Sequence, residues 1–139
     1  MRWPFRRKEA PRVVFDPDDP ALVVLIEAFD AARADSAVLA DAAARGVDVT
    51  QPLLVRHHLL GLPDEAAVTE AAALLGQDGY ALRPHASGAV LAYRTQVLTA
   101  LSASQERSRM AGLAQRLGGD VGGWDALGPD PGPAGPSAP

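Results

Sequence analysis

The sequence predicts an α+β fold, and three observations in its 139 residues lead there. From Pro52 onward the apolar periods and turn residues read as strand, helix, strand, strand, helix, with a further short strand at "DVGGWDAL". Pro84 falls in the second of these strands and Gly122–Gly123 in the fourth, the two edge positions of a βαββαβ sheet, where a missing N–H or a weak strand is tolerated. Ahead of that block, two segments carry helical spacing. The expected architecture is therefore a ferredoxin-like βαββαβ sandwich preceded by one or two N-terminal helices, with disordered termini.

The elements follow in chain order. Residues 1–18 read as a basic disordered tail, and residues 19–50 as a helical lead-in. Asp19 before Pro20 is an N-cap followed by a first helical residue. Leu22, Leu25, Ile26 and Phe29 then supply an i, i+3, i+4, i+7 stripe. Ser36 is placed to cap a second helix, with Leu39, Ala42 and Ala43 inward and Gly46 as its stop. The main domain is expected over residues 51–127. "PLLVRHHLL" is its first strand, and Asp64 caps a helix carrying Val68, Ala71, Ala72 and Leu75. "YALRP" and "AVLAYRTQV" are strands around the turn "HASG". Ser102 and Gln105 suggest a capping box for the last helix, striped by Met110, Leu113, Ala114 and Leu117 and ended by Gly118. Residues 128–139, "GPDPGPAGPSAP", have too little to bury against the entropy of ordering.

Composition narrows the function. An apolar share of 47% is ordinary for a globular domain. No cysteine is present, so disulfides, thiolate metal sites and cysteine nucleophiles are excluded. The longest apolar run, "ALVVLI" from Ala21, is far short of the ~20 residues of a membrane span and follows an acidic "DPDDP" rather than a basic flank. The expectation is a cytoplasmic protein with no membrane association. Arg2, Arg6, Arg7, Lys8 and Arg12 against Glu9 leave the first twelve residues at plus four, while eight arginines against sixteen acids leave the remainder at minus eight. An acidic body repels phosphate backbones, so direct nucleic-acid binding is not expected.

Strand alternation assigns faces. Val55, His57 and Leu59 point toward the helices, as do Leu91, Tyr93 and Val97 of the third strand. The open face then collects Arg56, His58, Arg94 and Gln96. With Tyr93 turned inward, that face lacks the aromatic platform on which ferredoxin-like RNA binders stack bases. Adjacent His57 and His58 fall on opposite faces and cannot chelate one ion, and His57 reads as a hydrogen-bonded core histidine. Ser102 and Ser104 are explained by capping, the carboxylates of "DPDDP" by turns, and "GGDVGG" lacks phosphate-loop spacing. No catalytic residue, metal or cofactor is expected. Trp124, beside two glycines, is either core or a contact anchor.

Four segments carry a family resemblance. These are "LADAAARGVDVTQP"; "VRHHLLGLPDEAAV", with Val55, His57 and Leu59 on its strand; "DGYAL", with Gly79 and Tyr80; and "LAQRLGGDVGGWD". From Val38 to Leu127 the chain resembles the regulator of ribonuclease E activity B family (RraB-like, ribonuclease E inhibitor), whose last helix runs into a closing GG-x-YDGW-E signature. Gly118, Gly119, Gly123 and Trp124 match it, and Asp125 keeps its acidic character. Val121 and Gly122 stand where the family has Tyr and Asp. The resemblance implies a ferredoxin-like fold and a non-catalytic protein that binds a ribonuclease E-type endoribonuclease and lowers its activity. The partner contact is expected at Asp120, Gly123, Trp124 and Asp125, assisted by Glu65 and Glu70. A generic binding module using its edge strand, or an immunity-like partner, is the alternative.

Overall fold

The computed structural model describes residues 13–131. Of the disordered tails expected over residues 1–18 and 128–139, residues 1–12 and 132–139 lie outside it, while residues 13–18 and 128–131 are placed, Gly128 and Pro129 within a strand. The elements are β1 (Leu22–Ala28), α1 (Asp35–Ala44), β2 (Leu53–Leu60), α2 (Glu65–Gly76), β3 (Ala81–Pro84), β4 (Val90–Gln96), α3 (Ala100–Arg116) and β5 (Asp120–Pro129). The five strands form one antiparallel sheet in the order β1-β5-β2-β4-β3. The strand and helix order expected from Pro52 is present, and Pro84 lies on an edge strand.

Two expectations about the sheet are corrected. The segment after Asp19 is a strand, not a helix. Its "LVVLIEA" is rich in β-branched residues, whose side chains suit a pleated surface. A β-bulge between Val24 and Ile26 shifts its alternation by one. That shift sets Leu25 and Ile26 side by side and imitates a helical stripe. Because β1 adds itself to the sheet, β5 is an interior strand bonded on both sides, not an edge. It also runs on to Pro129, past residue 127, where the domain was expected to end.

The helices pack on the face bearing Val55 and Leu59. Val38, Leu39 and Ala42 of α1 join Ile26, Val55, Ala103, Trp124 and Ala126 in one apolar cluster. Ala71 and Leu75 of α2 join Leu59, Ala92, Met110, Leu113 and Ala114 in a second. Ala43, expected inward, is exposed. Capping also differs in detail. Asp64 accepts from Ala67 N–H as expected, but Ser36 lies inside α1, whose N-cap Ala34 has no side-chain bond. The box at α3 is Thr99 with Ser102, one turn earlier than Ser102 with Gln105.

The face assignment of β4 is reversed. Antiparallel partners share a face, and Val55 pairs with Arg94 and Arg56 with Tyr93. Arg94 and Gln96 therefore turn toward the helices, while Tyr93 lies on the opposite face with Arg56 and His58. Polarity misled because α3 carries a carboxylate that draws both polar side chains inward. The opposite face is itself partly covered by the segment before β1. Phe15 N–H donates to Thr95 Oγ1 at 2.9 Å, and Asp18 pairs with Arg83 at 2.8 Å.

Candidate functional site

Three carboxylates organise the polar side chains. Asp35, in the first turn of α1, is 7% exposed and accepts from Trp124 Nε1 at 3.1 Å. Arg107 of α3 adds Nη2 to Asp35 Oδ1 at 2.6 Å and Nε to Oδ2 at 3.0 Å. Burial pushes this carboxyl up, but the bonds from Arg107 and Trp124 outweigh it and hold it below its ordinary value. Trp124 is 0% exposed, so its indole is core with a satisfied N–H and not a surface anchor.

Glu106 is a second hub on the same side of the sheet. Tyr80 O–H donates to its Oε1 at 2.9 Å, and Gln96 Nε2 and Arg94 Nη2 donate to Oε2 at 2.8 and 3.1 Å. His57 Nε2 stands 3.4 Å from Oε1, at the long end for a hydrogen bond. Arg94 also sits 4.2 Å over the Tyr80 ring. Burial would raise Glu106, yet the bonds from His57, Gln96 and Tyr80 and the charge of Arg94 bring it down to about 2. Burial and the Glu106 charge push the Tyr80 hydroxyl well above its usual value. These contacts clamp α3 to β2, to β4 and to Tyr80 just before β3.

Asp125 of β5 is the third, on the opposite face. Arg56 grips it with Nε to Oδ1 at 2.8 Å and Nη2 to Oδ2 at 2.6 Å, the two-point geometry that makes Arg–carboxylate pairs strong. His58 Nε2 is 3.4 Å from Oδ1. Burial opposes its ionisation, but Arg56 and His58 keep it below its ordinary value. The His58 ring has the Phe29 ring at 4.9 Å and the His85 ring at 5.6 Å, both edge-on. Phe29 and Leu60 are 43% and 40% exposed at this end of the sheet.

Ser87 Oγ lies 2.8 Å from His85 Nδ1 in the exposed turn between β3 and β4, and no group of three metal-ligating side chains occurs among the described residues. Nor is any helix among them long and apolar enough to cross a membrane. The carboxylate contacts brace the sheet from both of its faces.

A family model for regulator of ribonuclease activity B (RraB) matches residues 32–126. The chain belongs to the RraB family. No curated protein and no solved structure matches it. The RraB match begins after β1, so the strand that makes β5 interior is contributed by residues outside it.

The residues resembling the RraB closing signature do structural work. Gly118 ends α3 with φ of +93°. A β-carbon on Gly119 would stand 2.5 Å from Leu60 O, and one on Gly123 only 2.3 Å from Ala28 O at a φ of +116°. The glycines thus permit close backbone approach in the middle of the sheet. They do not mark a weak edge. Gly123 and Asp125 are buried with Trp124, and of the four expected contact residues only Asp120 is exposed. Val55, Leu59 and Tyr80 are buried, while Gly79 takes φ of +87° in the turn before β3. Glu65 and Glu70 are exposed on α2, away from Trp124 in the core.

Sequence reasoning missed Asp35, Glu106, Arg107, Phe29 and Leu60. Asp35 and Glu106 did leave a trace. Each is an acid on its helix's inward stripe, one turn before Val38–Leu39 and Met110 respectively. Nothing local marks Phe29 or Leu60.

Proposed function

We propose that this chain is a non-catalytic regulator that binds a ribonuclease of the E type and lowers its activity, altering RNA turnover in the cytoplasm. The RraB family match over residues 32–126 carries the reading. Three physical features support it. Asp35, Glu106 and Asp125 each draw an arginine into a contact that braces the sheet, and a rigid sheet suits recognition by surface contact. The acidic body of the chain suits a basic protein surface and disfavours competition for RNA itself. The element order from β2 to β5 fits a ferredoxin-like core extended by β1, a rigid platform of the kind on which protein contacts need little reordering.

The test is capture of the host's ribonuclease E or G by the tagged full-length protein, paired with cleavage of a labelled RNA by that enzyme. Capture above background and a cleavage rate that falls as the protein is titrated in are expected. Background capture together with an unchanged rate removes the proposal. The outer side of β1, with Val24 exposed at 43%, favours a second reading in which a partner strand adds to that edge. In that case Val24→Lys would abolish capture, while the ribonuclease reading leaves it intact.

A further inference from the structure

We propose that Phe29 and Leu60, seated beside the Gly122–Gly123 pair and rimmed by Glu27, Asp30 and Asp120, are the docking surface for a basic segment of the partner that carries a large apolar side chain. The inference rests on the ribonuclease reading only for the identity of the protein that bears this segment.

The backbone builds the surface. A β-carbon at Gly122 would stand 3.1 Å from Leu60 Cδ1, and one at Gly123 would stand 3.0 Å from both Phe29 Cα and its Cδ1. Two consecutive glycines therefore bring the two apolar side chains to neighbouring places. The bulge where His58 faces Gly123 but Leu59 faces Val121 leaves Gly122 as the extra residue between them. Phe29 packs against the edge of the His58 ring, whose Nε2 lies 3.4 Å from Asp125 Oδ1. A pre-positioned aromatic beside an aliphatic side chain, each about two-fifths exposed, loses little entropy on capturing a third apolar group.

The rim selects the charge of the occupant. Glu27 pairs in register with Asp125 on this face, Asp30 follows Phe29 directly, and Asp120 pairs with Leu60. All three are exposed, and none is joined to a cation among the described residues. Arginines or lysines flanking an apolar anchor complement this rim. A second copy of the chain would bring acid against acid across a twofold axis, which disfavours self-association here.

The probe is a labelled arginine-rich peptide bearing a single tryptophan, with an all-arginine peptide and an acidic peptide of equal length beside it. Binding to the full-length protein is read by fluorescence anisotropy. The tryptophan peptide is expected to bind tightest and the acidic peptide not at all. Phe29→Ala and Leu60→Ser should each weaken it about tenfold. Asp120→Lys with Glu27→Lys should do the same at low salt. Leu101→Ala, a more exposed apolar residue at the start of α3, should change nothing. Thermal melts of each variant, expected to match the native chain, separate loss of binding from loss of fold.

Equal affinity for the all-arginine peptide, with no effect of Phe29→Ala or Leu60→Ser, overturns the proposal. So does ribonuclease capture that survives both substitutions, although the regulatory function then stands. Peptide binding that follows the expected pattern without any capture of the ribonuclease supports this surface and removes the ribonuclease as its owner.

Discussion

Residue 123 shows how little room the sheet leaves. With φ at +116° and Ala28 O 2.3 Å from any β-carbon, Gly123→Ala meets strain and a backbone clash together. A loss of about 3 kcal/mol is expected, read as a fall in melting temperature of roughly 10 °C. An unchanged melt would show that Ala28 and Gly123 are not in close approach. Glu106 supports a prediction in pH. Its folded value, about 2, lies below its ordinary 4.5, so the folded state binds this proton more weakly than the unfolded one. The stabilisation is fully present above pH 4.5 and is lost as pH falls from there toward 2, to a total of about 3 kcal/mol. Urea midpoints across that range should fall less steeply for Glu106→Gln than for the native chain. Parallel curves would remove Glu106 from the account. At this scale the sequence was partly legible. The acids on the inward stripes of α1 and α3 could be seen, but their partners could not. Asp35 meets Arg107 and Trp124, residues 72 and 89 positions away.

The elements divide by how local their causes are. α2 and α3 were placed from caps, period and stop residues, all of which act within a turn or two. β1 and β5 were misjudged because a strand's place in a sheet depends on its neighbours. The bulge in β1 broke the period-2 signal, and no local feature announces that β5 has a partner on each side. β4 was turned over for a related reason. Arg94 and Gln96 look like solvent-facing residues until Glu106 stands opposite them. The arrangement predicts an order of amide exchange. The interior strands β5, β2 and β4, bonded on both sides, should exchange slowest, and the four-residue edge strand β3 fastest. Hydrogen-exchange mass spectrometry resolves these segments. Protection of β5 no greater than that of β3 would contradict its interior place.

Across the whole molecule, one sheet braced on both faces by buried ion pairs carries an acidic exterior and a small apolar spot near the start of β5. Removing Arg107 or Arg56 would leave the buried Asp35 or Asp125 carboxylate without its cation, so these two pairs are costly to break. Association through such a surface has an electrostatic part. Affinity for the basic peptide should therefore fall as salt rises from 0.05 to 0.5 M, because exposed charges are screened over about 10 Å at 0.1 M. Salt-independent binding would assign the contact to apolar burial alone.

By itself the sequence determined the fold class, the run of elements from β2 to β5, the family through its glycine and tryptophan spacing, and the absence of cysteine chemistry. The fold class and the run of elements follow from local propensity and period, which act between residues close in the chain; the family rests on the resemblance of its motifs, and the missing cysteine on composition. The tertiary structure alone decided that β1 joins the sheet, that Trp124 is enclosed, and that Phe29 lies beside Gly123 and Leu60 beside Gly122. Each of those depends on which distant segment supplies the opposing backbone or charge, and in this chain that is set by strand order and bulges rather than by any stretch read alone.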